Sequence, residues 1–472
     1  MLHAHFSNLL VKELGYAPTP DQQQIIVGLG QFLTEIEPDS VFLIRGYAGT
    51  GKTTVIASIV KVLKSLKQQV ILMAPTGRAA KVLSSYSGEP ASTIHRKIYR
   101  QKGGGDFESA FDLDRNLHQN ATFIVDEASM IGDNSTDISA FGSGNLLRDL
   151  IDYVNSGHNC KLILSGDVAQ LPPVGIALSP ALREGDLQSY GKKAMVFTLR
   201  DVIRQAQDSG ILYNATNIRT KLAQRNYDLP LFNDSKFPDF KSISGSDFGE
   251  ILETKYNEYG IDQVAVITRT NKLANTYNNG IRQSILWHEN ELVSNDLLMV
   301  VKNNYFWVND KTGQKFIANG DIIRLSRVRN FSENYGFRFA DATIILSDDD
   351  ASEIDVKVLL DTLTSPSAGL TNEQNRALYL AVEADYAEIK NRRKRYLEIR
   401  NNPFFNAIQI KYAYAITCHK SQGGQWSAVF VDQGYFTDEM LNVEYFRWLY
   451  TAVTRAKTEL YLVNFKEQFF EA

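Results

Sequence analysis

The stretch "VFLIRGYAGTGKTTVIASIVKVL" (residues 41–63) decides the fold. Its apolar start, residues 41–46, predicts a strand buried on both faces, and apolar residues at helical spacing, such as Ile59 and Leu63, predict a helix that begins near Lys52. The loop between them satisfies G-x-x-x-x-G-K-[ST], in which glycines let backbone N–H groups wrap phosphates at a helix N-terminus. The stretch therefore predicts a phosphate-binding loop in a parallel α/β domain.

The side chains of this loop indicate what it binds. Lys52 adds a point charge to the phosphates, and the Thr53 hydroxyl can ligate Mg²⁺. A chance glycine-rich turn is the alternative, and the position between a strand and a helix disfavours it. The residues expected to contact the nucleotide are Gly46, Ala48, Gly49, Thr50, Gly51, Lys52, Thr53 and Thr54.

Two carboxylates follow another apolar strand in "FIVDEASM" (123–130). We expect Asp126 to hold Mg²⁺ through water and Glu127 to orient or deprotonate the attacking water. An isolated Asp-Glu pair after a strand is usually solvated helix-cap chemistry. Together with the phosphate-binding loop, however, the pair favours nucleotide hydrolysis over phosphate transfer to a small acceptor.

The rest of the first half continues the same pattern, with buried strands predicted over 69–74, 121–127 and 161–167. The chain has 472 residues, 44% apolar, which predicts about three domains of ordinary size and little disorder. A net charge of −4 gives no global attraction to nucleic acid. Cys160 and Cys418 are too few for a disulfide framework or a structural zinc site. With neither a membrane span nor a signal peptide recognisable, we expect a cytoplasmic protein.

Six further blocks occur in order along the chain: "APTGRAAKVL" (74–83), "ASTIHRKI" (91–98), "SGDVAQLPPVG" (165–175), "LRDVIRQ" (199–205), "YAITCHKSQG" (414–423) and "LYTAVTRAK" (449–457). Together with the phosphate-binding loop and the Asp-Glu pair, they resemble the motifs of superfamily 1B helicases, in the RecD-like and Dda-like branch. The resemblance covers most of the chain. It implies two RecA-like P-loop NTPase cores and ATP-dependent translocation along DNA from 5′ to 3′.

The resemblance also implies roles at the ATP cleft. Gln22 of "TPDQ" corresponds to the residue that recognises adenine, and Gln170 to the one that senses the γ-phosphate. Arg204 and Arg455 correspond to arginine fingers from the second core, and Gln422 borders the cleft. A polar surface role for the glutamine before the helix, and surface ion pairs for the arginines, are the alternatives.

The stretch "AITCHKSQGGQW" (415–426) allows three interpretations: a nucleophile with its base, a metal site, or a ligand grip. If residues 410–418 form one strand, Cys418 and His419 point to opposite faces and cannot readily form a catalytic pair. No further metal ligands stand at a suitable spacing. Polar groups on a turn instead favour contact with a phosphate backbone. With the family's DNA-binding motifs, this predicts contacts from Pro75, Thr76, Arg78, Thr93, His95, Thr417, His419, Lys420 and Ser421. For His95, a core histidine is the alternative.

Two insertions interrupt the predicted cores. Residues 99–118 favour a β-hairpin that in the family is the pin splitting the duplex, with Phe107 or Phe111 stacking on the terminal base pair; a passive surface loop is the alternative. Residues 291–405 resemble an SH3-like module followed by a long charged helix over 372–402, which touches DNA or is merely solvated. The predicted order is first core 1–98, hairpin 99–118, first core 119–190, second core 191–290, SH3-like insertion 291–405 and second core 406–472.

These features lead us to expect a monomeric ATP-dependent DNA helicase that uses ATP and Mg²⁺. Its expected partners are single-stranded DNA, tailed or forked duplex DNA, and a single-strand-binding or recombination protein, with roles in recombination, repair or replication. Three alternatives stay open: a DNA-dependent translocase that does not unwind duplex, a subunit of a larger complex that docks on a nuclease through residues 372–402, and an RNA helicase.

Overall fold

The computed structural model describes residues 2–34, 37, 39–101, 111–132, 142–201, 208–304, 306–308, 317–346 and 353–471. Two parallel sheets with helices on their faces make up most of it, which confirms the mixed α/β class. A closed barrel and a two-stranded pair complete the sheet structure of these residues.

The first sheet has six parallel strands in the order β3-β2-β6-β7-β1-β8. Its inner strands read as continuous apolar runs because helices cover both faces: Val41 and Leu43 pack on one side, and Phe42 and Ile44 on the other. The strands up to the end of this sheet are β1 Ser40–Gly46, β2 Gln69–Ala74, β3 Ala91–Thr93, β4 Tyr99–Gln101, β5 Phe111–Leu113, β6 Ala121–Val125, β7 Lys161–Gly166 and β8 Lys193–Leu199.

The helices of this part are α1 Leu2–Leu14, α2 Pro20–Thr34, α3 Lys52–Ser65, α4 Gly77–Ser87, α5 Ile94–Ile98, α6 Leu146–Asn155 and α7 Glu184–Ser189. Strand β8 pairs with β1 along its whole length, from Ser40 with Lys193 to Gly46 with Leu199. The predicted boundary at residue 190 is therefore wrong, because β8 is an edge strand of the first sheet.

The second sheet has five parallel strands in the order β16-β10-β17-β18-β9. These strands are β9 Phe240–Ile243, β10 Val264–Thr268, β16 Ala415–Thr417, β17 Trp426–Asp432 and β18 Ala456–Val463. Its helices are α8 Gly210–Gln224, α9 Phe248–Tyr259, α10 Asn271–Ser284, α13 Cys418–Ser421 and α14 Val443–Val453. We call the two sheets with their helices the first core and the second core.

A closed five-stranded barrel interrupts the second core between α10 and β16. Its strands are β11 Leu297–Val300, β12 Ile322–Asn334, β13 Phe337–Leu346, β14 Glu353–Leu359 and β15 Ile408–Tyr412. Strand β15 pairs with both β11 and β14 and so closes the barrel. The predicted boundary at residue 405 is therefore wrong by one strand, since β15 belongs to the barrel.

Residues 372–402 form two helices, α11 Asn372–Ala384 and α12 Arg392–Asn401, and the predicted single long helix is wrong. Asn391 accepts from the backbone N–H of Lys394 and so starts α12 as a separate helix. Leu378 and Ile399, one from each helix, pack with the barrel residue Phe339. Apolar contact with the barrel thus holds the two helices side by side.

The predicted hairpin is described only at its base, where β4 and β5 pair antiparallel. Phe111 is buried in the first core, so its proposed stacking on a base pair is wrong. Phe107 lies outside the described residues. Among the helices that the structure describes, none has the length and apolar content needed to cross a membrane.

A buried ion pair joins the second core to the barrel. Arg282 of α10 makes two hydrogen bonds of 3.0 Å to Asp296, which is fully buried just before β11. The Tyr414 hydroxyl donates to the same carboxylate over 2.7 Å. Because each partner satisfies the other away from water, losing one leaves a buried charge without its counterpart.

We expect Asp296→Ala to lower the free energy of unfolding by about 3–5 kcal/mol, because it leaves the buried Arg282 guanidinium without its negatively charged partner. Chemical denaturation measures this change. The matched control is Asp262→Ala, whose partner Arg324 lies 3.6 Å away with both side chains about half exposed, and which should change stability by about 1 kcal/mol or less. Equal effects of the two variants would refute the buried-pair argument.

Candidate nucleotide and nucleic-acid site

The phosphate-binding loop runs from the end of β1 into α3. Gly49 and Gly51 have φ values of 74° and 83°, which a residue with a side chain rarely adopts. Helix α3 begins without a side-chain cap and without an acidic residue in its first turn. Its free N–H groups and positive dipole end therefore favour an anion at this position.

Lys52 lies folded back over this loop. Its Nζ donates to the carbonyl oxygens of Gly46, over 2.7 Å, and Tyr47, over 2.9 Å. It also stands 3.9 Å from Oδ2 of Asp167, which is buried at the end of β7. The lysine thus stays inside the loop, between carbonyl groups and a carboxylate, where it can turn to a phosphate.

Asp126 and Glu127 lie at the end of β6. Asp126 accepts a 2.5 Å hydrogen bond from the Tyr86 hydroxyl, which orients its carboxylate. Glu127 has a left-handed backbone, with φ of 54°, a strained conformation that often marks functional sites. Burial, and then the charge of Asp126, raise the pKa of Glu127, whereas Arg455 and Lys52 lower it. A raised pKa makes the carboxylate a better acceptor for the proton of a water molecule.

Gln170 lies in the loop after β7. The side chain is 5% exposed, and within the described part of the chain its Oε1 has no hydrogen-bond partner. An unpaired buried amide oxygen calls for a ligand or a water at this point. The next residue, Leu171, is bound by the second core: its N–H donates to Thr451 Oγ1 over 2.8 Å, and its carbonyl accepts from Gln422 Nε2 over 2.6 Å.

Arg455 follows α14 in the second core and is 3% exposed. Its guanidinium donates to the carbonyl oxygens of Thr451 and Gly424 and to the Thr454 hydroxyl, all within its own core. It is nevertheless close enough to Glu127 to lower the pKa of that carboxyl. Arg204, the other predicted finger, lies outside the described residues.

Gln22 is fully buried, and both ends of its amide have partners in the chain. Its Oε1 accepts from the Thr19 N–H over 3.1 Å, and its Nε2 donates to the Tyr16 hydroxyl over 3.3 Å. Of the two hydrogens on Gln22 Nε2, one is donated to Tyr16, and the other could be donated to a nucleotide base. The amide is therefore held in a fixed orientation, not presented on an open surface.

A second cleft lies where both cores meet the barrel. It collects most of the predicted DNA contacts: Pro75, Thr76, Arg78, Thr93, His95, His419 and Lys420. Gln422, predicted to border the ATP cleft, lines it as well, together with Met130, Asn303, Ala318, Asn319 and Gly320. Thr417 lines an adjoining pocket that shares His419 and Lys420. Residues far apart in sequence thus line one cleft that mixes polar and apolar groups, with a wall supplied by the barrel.

The turn after β16 differs from the expectation. The strand predicted over 410–418 is wrong, because β15 and β16 belong to different sheets and Cys418 already begins α13. Cys418 is fully buried, and burial raises the pKa of its thiol to about 12, which excludes a nucleophile. Ser421 is also fully buried and donates to the Cys418 carbonyl, so its predicted DNA contact is wrong.

The histidines of the cleft are neutral groups. Burial lowers the pKa of His95 to about 4, and burial also lowers the pKa of His419. At neutral pH they can accept or donate one hydrogen bond but carry no charge. Lys420 Nζ donates to Asn319 Oδ1 over 2.7 Å, which links the second core to the barrel across the cleft.

Three contributors have no counterpart in the sequence-based prediction. The ring of Trp426 lies 3.8 Å from the Arg78 guanidinium, and Asn319 comes from the barrel. Tyr450 brings a buried hydroxyl to the phosphate-binding loop. Both aromatic residues stand inside the quoted motifs, but nothing in their spacing shows which partner each one meets.

Fold and loop together define the class, a P-loop nucleoside triphosphatase with two parallel α/β cores. Residues 21–228 match the AAA domain family, and residues 412–463 match the UvrD-like helicase C-terminal domain family. Over 187 residues, which are 39% of this chain and 22% of the relative, the chain is 32% identical to the ATP-dependent RecD2 DNA helicase of Deinococcus radiodurans. Over 53 residues, 11% of this chain and 12% of the relative, it is 53% identical to the ATP-dependent DNA helicase dda of Enterobacteria phage T4.

Pif1 helicase from Bacteroides, solved with ADP-AlF3 and ssDNA, aligns with 97% of this chain and 95% of its own at 16% identity and a TM-score of 0.47. The two family matches and the RecD2 and dda relatives support the resemblance of the chain to the superfamily 1B ATP-dependent DNA helicases of the RecD-like and Dda-like branch. The matches span only 22% and 12% of those two relatives, so they do not transfer the activity of the whole proteins.

Proposed function

We propose that the protein hydrolyses ATP to move 5′ to 3′ along single-stranded DNA and to separate duplex DNA ahead of it. The observation that carries this proposal is the position of Gln422. Its side chain lines the DNA cleft and donates to the carbonyl of Leu171, the neighbour of Gln170. One hydrogen bond therefore joins the nucleotide side of the molecule to its DNA side.

At the nucleotide site, the loop amides and Lys52 bind the phosphates, and Gln22 meets the adenine edge once the Tyr16 hydroxyl and the other groups that bury its amide move aside. Glu127 takes the proton of the attacking water. Gln170 senses the γ-phosphate, and Arg455, with Arg204, approaches it when the cores close. Release of Arg455 from its present carbonyl partners is part of that closure.

Mg²⁺ fits the same site, because the exposed Thr53 hydroxyl and the Asp126 carboxylate supply the oxygen ligands it prefers. When bound, the ion neutralises charge on the β- and γ-phosphates. The Tyr86 hydroxyl, which donates to Asp126, keeps that carboxylate oriented.

At the DNA cleft, Thr76, Thr93, Thr417, His419 and Lys420 provide donors and acceptors for phosphates and sugars. Such contacts to phosphates and sugars hold a backbone without reading its sequence, which suits a motor that must pass over every sequence. Arg78 and Pro75 complete the first-core wall. The barrel, as an SH3-like module, forms the opposite wall. The segment 99–118, in which Phe107 lies outside the described residues, serves as the pin.

The two cores that build the ATP site belong to one chain, which supports a protein that acts as a monomer. The direct test compares ATP hydrolysis with and without single-stranded DNA, and strand separation on duplexes with a 5′ or a 3′ tail. We expect stimulation by DNA and separation of the 5′-tailed duplex alone. Stimulated hydrolysis without separation of either duplex would indicate a translocase that does not unwind.

Lys420→Ala is expected to weaken binding of single-stranded DNA and to reduce the slope of log affinity against log salt by about 0.7, because one phosphate contact is lost. Fluorescence anisotropy at several salt concentrations measures both quantities. Lys61→Ala is the matched control, since Lys61 is exposed on α3 and paired with Glu13. A salt slope that is the same for both variants would place Lys420 outside the DNA contact.

A further inference from the structure

Helix α14 reaches from the second core into the first through three side chains. Arg447 donates to the Ala177 carbonyl, and Thr451 Oγ1 accepts from the Leu171 N–H. Tyr450, between them, reaches the phosphate-binding loop itself. The helix is therefore one of the parts of the second core, with Gln422 and with Arg219 of α8, whose guanidinium lies over the Tyr47 ring, that directly contact nucleotide-binding elements of the first.

The Tyr450 hydroxyl makes two hydrogen bonds across the boundary between the cores. It accepts from the N–H of Ala48 over 2.8 Å and donates to Oδ2 of Asp167 over 2.8 Å. The side chain is fully buried. Burial and the charge of Asp167 hold the pKa of this phenol well above its ordinary value, so it stays a donor at physiological pH.

Asp167 connects this hydroxyl to Lys52. Its Oδ1 accepts from the Ala169 N–H over 2.9 Å, and its Oδ2, which accepts from Tyr450, lies 3.9 Å from Lys52 Nζ. When a phosphate enters the loop, the ammonium of Lys52 turns toward it. The carboxylate then loses its nearest cation and depends more strongly on the Tyr450 hydroxyl.

The other end of Tyr450 connects to the predicted arginine finger. Its backbone carbonyl accepts from the Thr454 hydroxyl over 2.9 Å, and that hydroxyl accepts from Arg455 Nη2 over 3.3 Å. Arg455 Nε also donates to the carbonyl of Thr451, the neighbour of Tyr450. A displacement of Tyr450 therefore moves the groups that hold the guanidinium.

We propose that Tyr450 is a positioning residue of ATP hydrolysis, which couples occupation of the phosphate-binding loop to the placement of Arg455. The inference rests on the proposed function and extends it by naming the path between the two cores. Tyr450 is not proposed to contact ATP or the attacking water. It acts through Ala48 and Asp167 on one side and through Thr454 on the other.

The test compares Tyr450→Phe with Tyr445→Phe, and the chain offers an unusually close control. Tyr445 lies on the same helix, is also fully buried, and donates over 2.6 Å to Gln433 Oε1 inside the second core. Each variant removes one hydroxyl from a buried tyrosine, so comparable losses in thermal stability are expected. Only Tyr450→Phe removes a bond between the cores.

For Tyr450→Phe we expect kcat for DNA-stimulated hydrolysis to fall about tenfold, with KM for ATP within about twofold of wild type, because Lys52 and the loop amides still bind the nucleotide. Tyr445→Phe should keep both constants. Binding of a fluorescent ADP analogue, measured without turnover, should be unchanged in both variants and shows that the loop is intact.

A double variant distinguishes a role of Tyr450 in positioning Arg455 from a role in the stability of the fold. Tyr450→Phe combined with Arg455→Ala should hydrolyse ATP no more slowly than Arg455→Ala alone. Tyr450 acts by positioning the Arg455 guanidinium, so its loss has no further effect once that guanidinium is absent. Additive losses, or a Tyr450→Phe variant that behaves like Tyr445→Phe, would overturn the inference while leaving the proposed function standing. A wild-type protein that does not hydrolyse ATP would instead overturn the proposed function, and the inference with it.

Discussion

Glu127→Gln is expected to reduce ATP hydrolysis by about 10²- to 10⁴-fold, the range for removal of a general base, while ATP and DNA binding persist. In the proposed mechanism Glu127, and not its neighbour Asp126, takes a proton from water, and the left-handed backbone of Glu127 fixes where its carboxylate lies. The amide of glutamine has nearly the same shape but cannot accept that proton. The variant should therefore bind ATP and stay closed over it.

Steady-state hydrolysis and filter binding of radiolabelled ATP together test this expectation. Asp114→Asn, at an exposed carboxylate paired with Arg100, is a control for the same chemical change and should keep wild-type ATP hydrolysis. A Glu127→Gln protein with hydrolysis near wild type would show that another group activates the water.

The second large effect is expected for Lys52→Ala, with hydrolysis reduced by about 10²- to 10³-fold, as for other preorganised donors at developing charge. The reason differs from that for Glu127, since Lys52 neutralises phosphate charge. Nucleotide affinity should fall as well, which a fluorescent ADP analogue measures. Strand separation by the variant should be undetectable.

Lys64→Ala is the matched control, because Lys64 lies on the same helix, α3, and is paired with Glu89 at the surface. The control should hydrolyse ATP and separate strands as the wild type does. Strand separation that survives Lys52→Ala would be incompatible with an ATP-driven motor working through this loop.

The phosphate-binding loop and the parallel sheet around it could be predicted because their signals are local. Glycines, a lysine and a threonine at fixed spacing between an apolar run and a helix describe one continuous segment. The clustering of Thr76, His95 and Lys420 in one cleft was expected through the resemblance, and the structure brings these residues together.

The errors concern pairings between distant segments. Strand β8 reads as an ordinary apolar run, and only its seven-residue pairing with β1 assigns it to the first sheet. Strand β15 stands two residues before β16, yet it pairs with β11 and β14 of the barrel. Tyr414 and Ala413 between them give no sign of a boundary, because both are buried.

Individual side-chain roles were hardest to predict where a residue type serves several purposes. Ser421 resembles a donor on an exposed turn, but the short helix α13 directs it to the Cys418 carbonyl. In the sequence Tyr450 has the pattern of a core residue, but its hydroxyl accepts from the N–H of Ala48, 402 positions earlier in the chain. Such contacts depend on how the two cores meet, which no local pattern records.

The joint between the second core and the barrel also has a mechanical consequence. The chain passes between the second core and the barrel twice, at Asp296 and at Tyr414. The buried hydrogen bonds that Arg282 and Tyr414 donate to Asp296 hold the barrel in a fixed position on that core. We therefore expect a rotation of that core to carry Asn319, which accepts from Lys420 across the cleft, along with it. If the cores close as proposed, the movement that brings Arg455 toward the phosphates also moves the barrel residue Asn319 at the DNA cleft, so ATP hydrolysis and DNA contact are expected to be coupled.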